Sequence, residues 1–186
     1  MTSTIYITTP CMNARAFIDR TIISVVSQAG EFSIRYHVKD GGSDDGTVER
    51  LAWWEKHLKS GILPLQCEGI DFSWSTTPDV GMYDAILQGY AEMNIADQEF
   101  MTWINADDIL MPGACAFVAD VANQFEVNQV SWLGGAACIL NRDRPVTTYD
   151  RFIPSEVIRA GACDGHHWHF VQQEGTFYRC WLWRAA

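Results

Sequence analysis

Basic residues are scarce in this sequence, and they form no run. Lysine and arginine together number 13 against 23 aspartate and glutamate residues, which gives a formal net charge of −10 at pH 7. Proteins that bind a nucleic-acid backbone need clustered positive charge, so this composition excludes nucleic acid as a partner. An acidic protein that binds an anionic small molecule must instead use a metal ion or local backbone donors.

Paired cysteines are also lacking. The six cysteines are scattered without a CxxC motif, which excludes a disulfide framework and is typical of reduced, buried thiols in a cytosolic protein. One cysteine and three histidines near the C-terminus suggest a zinc site, but no second ligand pair stands at a supporting spacing. These four residues are Cys163, His166, His167 and His169.

Long apolar runs are missing as well. The N-terminus has no charged region followed by an apolar one, and no stretch approaches the ~18 uncharged apolar residues that a membrane span requires. We therefore expect a cytoplasmic protein, and peripheral docking at the inner face of a membrane stays open. With 186 residues, 48% hydrophobic, the chain can form one core, so we expect a single domain over residues 1–186. Residues 183–186 carry no helix stop signal, which suggests a further C-terminal extension.

The stretch FMTWINADDIL, residues 100–110, is an apolar run interrupted by two adjacent carboxylates. Such a run predicts a strand buried on both faces of a mostly parallel sheet, with Asn105, Asp107 and Asp108 at its carboxyl end. Ligands bind at that edge in open α/β sheets, and two carboxylates clustered there repel each other unless a cation or a hydrogen-bond network compensates them. Oxygen ligands suit Mg²⁺ or Mn²⁺, which usually also hold substrate phosphates. The alternative is an Asx turn that caps the helix begun by Pro112.

Strand and helix patterns alternate along the rest of the chain. This order predicts an α/β fold with a mostly parallel central sheet flanked by helices, as in Rossmann-like nucleotide-binding folds. The predicted strands are residues 5–8, 32–38 and 63–67, and one or two strands within 130–140. The predicted helices are residues 17–28, a helix from about residue 47 to Gly61, 78–93, 111–125 and a short one opened by Pro154. Pro64 confines the third strand to an edge or a strand start, residues 70–77 are ambiguous, and residues 141–152 are expected to form a loop.

A glycine-rich turn, DGGSDDGT, follows the second strand. It has neither of the phosphate-binding glycine patterns, and its three aspartates would repel phosphate. Asp40, at the end of the strand, could instead accept a hydrogen bond from a nucleobase imide or a ribose hydroxyl. The alternative is an ordinary turn in which Asp45 lies near the N-cap of the next helix.

The segment 78–93, which contains a predicted helix, carries two acids near the beginning of that helix. Asp79 precedes it and Asp84 lies in its first turn, where the helix dipole stabilises negative charge whatever their function. Gly81 between them suggests that the backbone passes close to another group. One helical face, expected to be buried, is formed by Tyr83, Ile86, Leu87 and Tyr90.

Taken in order, five motifs resemble the inverting family 2 glycosyltransferases of the GT-A fold. They are TPCMNAR, VKDGGSDDGT, PDVGMYDAILQG, WINADD and QQEGTFYR, and they span nearly the whole chain. The resemblance implies a GT-A type fold. It also implies transfer of a sugar from a nucleoside-diphosphate sugar to an acceptor hydroxyl of a glycan or a lipid-linked saccharide, with a divalent metal and with inversion, in polysaccharide biosynthesis.

The resemblance also implies roles for individual residues. The nucleotide would be held by Thr9, Pro10 and Asp40, and the ribose and donor sugar by Asp79, Gly81 and Asp84. In the family, the DxD-like motif carries the divalent metal and the diphosphate, and here it reads Asn105-Ala106-Asp107. Because Asn replaces the first acid, Asp107 is the stronger metal ligand, and Asn105 is assigned to nucleotide and donor binding. QQEG lies where the family places its catalytic base, which points to Glu174.

Alternatives remain open at this stage. Asp164 competes with Glu174 as the base, and Glu174 could instead cap a segment over residues 175–183. The chain could also be a nucleotidyltransferase on a similar scaffold, although no basic signature for a nucleoside triphosphate is present. A third reading is a non-catalytic partner that binds a nucleotide or a glycan.

Overall fold

A computed structural model describes residues 2–141, 144–149, 153–163, 171 and 173–186. Its strands are β1 (Ser3–Cys11), β2 (Gly30–Asp40), β3 (Cys67–Thr76), β4 (Phe100–Trp103), β5 (Trp132–Gly134), β6 (Ala137–Asn141), β7 (Arg144–Tyr149) and β8 (Thr176–Arg179). Its helices are α1 (Ile18–Val26), α2 (Thr47–Lys59), α3 (Met82–Met93), α4 (Ala114–Gln124), α5 (Ser155–Arg159) and α6 (Cys180–Ala185).

The chain divides into two compact units. The first comprises Met1–Leu133 and Phe177–Ala186, and the second comprises Gly134–Thr176. The main sheet has the strand order β3-β2-β1-β4-β8-β5. The first four strands in this order run parallel, and β8 pairs antiparallel with β4. In the second unit, β6 and β7 form an antiparallel pair. The mostly parallel sheet with flanking helices confirms the predicted fold class.

Helices pack on both faces of the main sheet. The side chains of successive strand residues alternate between the faces, so each strand contributes to two clusters. One cluster joins the sheet to α1, α2 and α4 through Ile5, Ile7, Ile18, Ile22, Val25, Ile34, Val38, Leu51 and Val118. The other joins it to α3 through Tyr6, Ile86, Tyr90, Met93, Met101 and Tyr178.

The central strand β1 is longer than the sequence predicts. The predicted strand stops at the Thr9-Pro10 step, but β1 stays paired with β2 up to Cys11. Proline lacks an N–H and is tolerated where one side of a strand has no partner. In the described part of the chain, β4 pairs with β1 no further than Thr8, whose carbonyl accepts from Ile104 N (3.0 Å). By alternation, the proline nitrogen faces that same unpaired side.

Helix α3 packs through a face different from the one predicted. Ile86 and Tyr90 are buried as expected, but Tyr83 and Leu87 are 69% and 54% exposed. The remaining buried positions of the helix are Ala85, Gly89 and Met93. A Cβ atom at Gly89 would lie 2.2 Å from Thr8 Oγ1, so glycine is what lets α3 approach β1 this closely. Small residues, not the most hydrophobic ones, therefore decide which face is buried.

Three further elements differ from the sequence prediction. The third strand, β3, begins at Cys67, where the predicted strand 63–67 ends, and covers most of the ambiguous stretch 70–77; it is an edge strand, as expected. Helix α4 begins at Ala114, so Pro112 precedes the helix and does not lie in its first turn. Residues expected to form a loop contain β7, because pairing with β6 stabilises a strand that lacks a strong local signal.

Within the described residues, no helix has the length and apolar character needed to cross a bilayer.

We expect Gly89→Ala to destabilise the protein, although alanine favours an isolated helix by about 1 kcal/mol over glycine. The new methyl group would overlap Thr8 Oγ1, on a fully buried side chain that donates to His37 O (3.2 Å). Overpacking of this kind costs about 1–3 kcal/mol of unfolding free energy, which urea denaturation can measure.

The double variant Thr8→Ala/Gly89→Ala is the control, because Thr8→Ala removes the atom that the new methyl group meets. In a double-mutant cycle the two substitutions should partly compensate each other. A Gly89→Ala variant as stable as the wild type would show that this contact does not restrict α3.

Candidate functional site

Four parallel strands of the main sheet end at one edge. From β1 the chain passes through α1 to β2 and then to β3 on one side, while β4 lies on the other side of β1. The strand order therefore reverses between β1 and β4. In open α/β sheets, the carboxyl ends of the strands at such a point form a crevice in which ligands bind. The loops at this edge are the candidate site.

The loops after β1 and β2 are joined by hydrogen bonds. Asn13 N donates to Ser43 Oγ (2.7 Å), and Asn13 Oδ1 accepts from Asp44 N (3.1 Å). Two residues along, Arg15 N donates to Asp45 Oδ2 (3.0 Å). The other carboxylate oxygen of Asp45 accepts from the first backbone N–H of α2 (3.0 Å), so this acid closes the helix N-terminus. The glycine-rich turn is thus hydrogen-bonded both to the loop after β1 and to the beginning of α2.

Asp40 ends β2 and is fully buried. Its Oδ2 accepts from Gly42 N (3.0 Å), Ser43 N (3.0 Å) and Thr76 Oγ1 (2.8 Å), and its Oδ1 accepts from Ser43 Oγ (2.5 Å). Burial raises the pKa of this carboxyl, but the bonds from Ser43, Thr76 and Gly42 together hold the pKa below its ordinary value. A carboxylate offers about four acceptor positions, so a ligand could bond to Asp40 directly only by displacing one of these donors.

Lys39 is a buried cation at the same edge, 1% exposed. Its Nζ donates to Asp40 O (2.9 Å) and Thr77 O (2.5 Å) and lies 3.9 Å from Asp79 Oδ2. These groups compensate the cost of burying the charge. Asp79 also lies against Gly41, where a Cβ atom would be 2.6 Å from Asp79 Oδ2. Lys39 therefore ties the ends of β2 and β3 to the segment before α3.

The other two residues predicted near α3 shape its beginning. Asp84 Oδ2 accepts from Val80 N (3.0 Å) and Gln88 Nε2 (2.9 Å), and Gly81 N donates to Asp79 Oδ1 (2.9 Å). Gly81 has a φ of 129°, which side chains rarely adopt, and no described atom lies within 4 Å of where its Cβ would be. Backbone conformation accounts for this glycine, and the close approach inferred from the sequence is not seen among the described residues.

Thr9 and Pro10 lie inside β1 and are both buried. The Thr9 hydroxyl shares a hydrogen bond with Tyr36 OH (2.9 Å) in the core. Their side chains therefore pack within the protein. At this position the chain offers a ligand its backbone and the loop that begins after Cys11.

The WINADD loop follows β4. Asn105 Nδ2 donates to Asp108 Oδ2 (3.0 Å), Asp108 N donates to Asn105 O (3.1 Å), and Asp107 is exposed. Asn105 Oδ1 is buried and has no hydrogen-bond partner among the described residues. An unpaired buried oxygen is costly, and a cation would satisfy it.

These residues therefore fit a divalent cation held by few protein ligands. Within the described ranges, no group of three or more His, Cys, Asp or Glu side chains is placed to hold a metal. Mg²⁺ usually keeps several waters and binds through one or two carboxylates together with substrate phosphates. Asp107 and Asn105 Oδ1 match that kind of ligand set.

Glu174 belongs to the second unit and lies in a turn. Its Oε1 accepts from Gln173 Nε2 (2.8 Å), and Thr176 N donates to Gln173 O (3.0 Å). The residues that follow form strand β8, so Glu174 does not lie at a helix N-terminus and the capping alternative is wrong. Asp164, the competing base, lies outside the described residues, as do the three histidines of the suggested zinc site.

Two sets of residues at the edge escaped the sequence analysis. Lys39 sits in an alternating strand, where a lysine is ordinarily solvent-exposed. Thr21 and Ser24 lie on α1, where the apolar spacing drew attention instead. For Thr21 and Ser24, the signal that could have revealed them is the set of polar residues at positions 21, 24 and 28, which have helical spacing on an otherwise apolar segment. An open surface depression lined by Thr4, Ser33 and Gly69 among others lies nearer the amino ends of the strands and away from this edge.

Comparisons with solved structures show the fold of this chain, and a comparison with family models shows its family. The structural alignment with TarS 1-349 from S. aureus covers 100% of this chain and 49% of the TarS chain, with 12% identity and a TM-score of 0.60. The alignment with the same protein in complex with UDP-GlcNAc covers 67% of this chain and 32% of the TarS chain, with 16% identity and a TM-score of 0.51. The alignment with the crystal structure of S. aureus TarS covers 67% of this chain and 20% of the TarS chain, with 17% identity and a TM-score of 0.50. A comparison with curated sequences finds no match.

The chain thus spans between a fifth and about half of these TarS chains, and at such identities the likeness shows the fold alone. That fold is the GT-A fold, as the motifs predict. The family model described as "Glycosyl transferase family 2" matches residues 6–135. Because this match covers more than half of the sequence, the protein belongs to glycosyl transferase family 2.

Proposed function

We propose that this chain contains the donor-binding part of an inverting glycosyltransferase. It would transfer a sugar from a nucleoside-diphosphate sugar to a hydroxyl group of a glycan or a lipid-linked saccharide. The observation that carries this proposal is that four of the family 2 motifs lie at the carboxyl ends of the parallel strands β1 to β4, beside the point where the strand order reverses. These motifs are TPCMNAR, VKDGGSDDGT, PDVGMYDAILQG and WINADD.

The nucleotide is proposed to lie along this edge. Thr9 and Pro10 would contribute through the backbone at the end of β1, and Asp40 through the turn that its four short hydrogen bonds hold. Asp79 and the beginning of α3, with Gly81 and Asp84, would face the ribose and the donor sugar. TarS was solved with UDP-GlcNAc, which makes uridine diphosphate sugars the first donors to test.

A divalent cation, Mg²⁺ or Mn²⁺, would neutralise the negative charge that develops on the leaving diphosphate. Asp107 and Asn105 Oδ1 are the groups proposed to hold it. The protein is acidic, with a formal net charge of −10, so a diphosphate needs a source of positive charge. Lys39, a buried cation at the edge, already pairs with Asp79 and two carbonyl groups, which supports the proposal that a metal ion supplies that charge.

A carboxylate is proposed to take the proton from the acceptor hydroxyl during direct displacement at the anomeric carbon. Such a displacement forms no covalent intermediate on the enzyme, and a single displacement inverts the anomeric centre. Glu174 is the proposed base because it is the one carboxylate of the QQEGTFYR motif. Asp164 is the competing candidate.

We expect Asp107→Ala to abolish the metal dependence of nucleotide binding. In calorimetry with UDP, the wild type should bind more tightly with Mn²⁺ than with EDTA, and the variant in Mn²⁺ should bind no better than the wild type in EDTA. The side chain is exposed, so the melting temperature without ligand should not change. Asp120→Ala, which removes an exposed acid from α4, is the matched control and should bind like the wild type.

A thermal-shift screen of nucleotide sugars precedes this measurement, since a ligand at about 100 times its Kd should stabilise the protein by about 2.7 kcal/mol. Equal affinity of the wild type with and without EDTA would contradict metal dependence. Release of pyrophosphate from a nucleoside triphosphate would favour a nucleotidyltransferase instead. Binding without transfer to any of many acceptors would favour a non-catalytic protein.

We expect Glu174→Gln to lower kcat by about 10²–10⁴ with little change in donor affinity, because the amide keeps the shape of the side chain and loses its basicity. Donor binding and sugar transfer should be measured side by side. Glu156→Gln, at an exposed position of α5, is the control. Transfer within a few-fold of the wild type would eliminate Glu174 and move the assignment to Asp164.

A further inference from the structure

The polar side of helix α1 is bonded to the loop that carries Asp107. Thr21, Ser24 and Gln28 are all buried, at 0%, 8% and 1% exposure. Each has a side-chain hydrogen bond to the backbone between residues 106 and 115, more than 80 residues away in sequence. A buried polar side chain needs such a partner, but a helix that packs on a core does not need polar side chains. Their presence calls for an explanation beyond packing.

Thr21 makes the contacts nearest to Asp107. Its Oγ1 lies 2.7 Å from Ala106 O and 2.8 Å from Asp108 O, the carbonyl groups on either side of that residue. A threonine hydroxyl has one hydrogen to donate, so the two carbonyls share it. Both neighbours of Asp107 are therefore held to the same atom of α1.

Ser24 and Gln28 extend this attachment along the loop. Ser24 Oγ accepts from Leu110 N (2.9 Å) and donates to Thr21 O (2.7 Å). Gln28, just beyond the end of α1, donates through Nε2 to Met111 O (3.0 Å) and accepts through Oε1 from Cys115 N (3.2 Å). Helix α1 and Gln28, which follows it, are therefore bonded to the backbone of residues 106, 108, 110, 111 and 115.

The consequence for Asp107 follows from its own exposure. Its side chain is exposed and resides on a loop, so its own packing does little to fix its direction. A metal ligand binds well only when its backbone is already in place, and groups that orient such ligands typically contribute about 10–100-fold to metal affinity. The hydroxyl of Thr21 is placed to supply that orientation.

We propose that Thr21 is a positioning residue for cation binding through Asp107, an inference that rests on the proposed function. Thr21 contacts neither the cation nor the nucleotide. It holds the carbonyl of the peptide group that precedes Asp107 and the carbonyl of the residue after Asp107, which restrains the backbone that carries the Asp107 carboxylate. Ser24 supports it from the next turn of α1.

The test uses Mn²⁺ and UDP as probes on the whole chain. Thr21→Val keeps the shape of the side chain and removes the hydroxyl, so the half-saturating Mn²⁺ concentration at a fixed UDP concentration should rise by about 10-fold or more. Bound Mn²⁺ is followed by the loss of the free-ion EPR signal, and UDP binding in EDTA is measured by calorimetry. Thr21→Ser restores a hydroxyl and should restore the Mn²⁺ dependence.

The control is Thr8→Ala, which removes another fully buried threonine hydroxyl that donates to a carbonyl group, His37 O (3.2 Å). It should lower the melting temperature and leave the Mn²⁺ dependence unchanged. If Thr21→Val does not fold, Ser24→Ala replaces it, since it releases Leu110 N and the Thr21 carbonyl with a smaller change.

The outcomes separate this inference from the proposed function. A wild type that binds UDP with Mn²⁺, and a Thr21→Val variant that melts earlier with an unchanged Mn²⁺ dependence, would reduce Thr21 to a structural role. Equal increases in the Mn²⁺ requirement for Thr21→Val and Thr8→Ala would also overturn the inference, because the effect would then follow stability alone. A wild type that binds neither UDP nor Mn²⁺ would overturn the proposed function itself, and this inference with it.

Discussion

The need of every buried polar group for a hydrogen-bond partner is the constraint on which the carboxyl edge of this sheet depends. Asp40 is buried as a carboxylate because two backbone N–H groups and two hydroxyl groups surround it. Lys39 is buried beside it because two carbonyl oxygens and Asp79 compensate its charge. Since these partners come from different loops, meeting the requirement also fixes the loops relative to one another.

The same constraint explains how so acidic a chain can offer a site for an anionic ligand. The carboxylates of Asp40, Asp45, Asp79 and Asp84 all accept hydrogen bonds from backbone N–H groups, which disperses their negative charge into the turns and helix beginnings. Among the described residues of the WINADD loop, the buried side-chain oxygen without a hydrogen-bond donor is Asn105 Oδ1. Asp107, two residues further along, is exposed, and these two residues are the ones proposed above to hold a cation.

Close backbone approach is the second constraint. Helix α3 reaches the sheet because Gly89 faces Thr8, and Asp79 reaches the end of β2 because Gly41 has no side chain. The first contact brings the second half of α3 against β1, and the second brings the segment before α3 to the turn after β2. The loop after β4 is brought in from the other side by the hydroxyl of Thr21. The edge is thus assembled by small residues and hydroxyl groups more than by large apolar ones.

By itself, the sequence determined the α/β class, most of the elements, the GT-A resemblance and the position of Asn105 and Asp107 at the end of a central strand, because hydrophobic period and turn chemistry act within a few residues. The sequence prediction ended β1 too early and included the exposed residues Tyr83 and Leu87 in the buried face of α3. It also missed Lys39 and Thr21. Only the tertiary structure decided these points. Whether Pro10 can remain in a strand depends on where β4 ends, and the bond from Thr21 to Ala106 O joins residues 85 positions apart, which no local pattern can bring together.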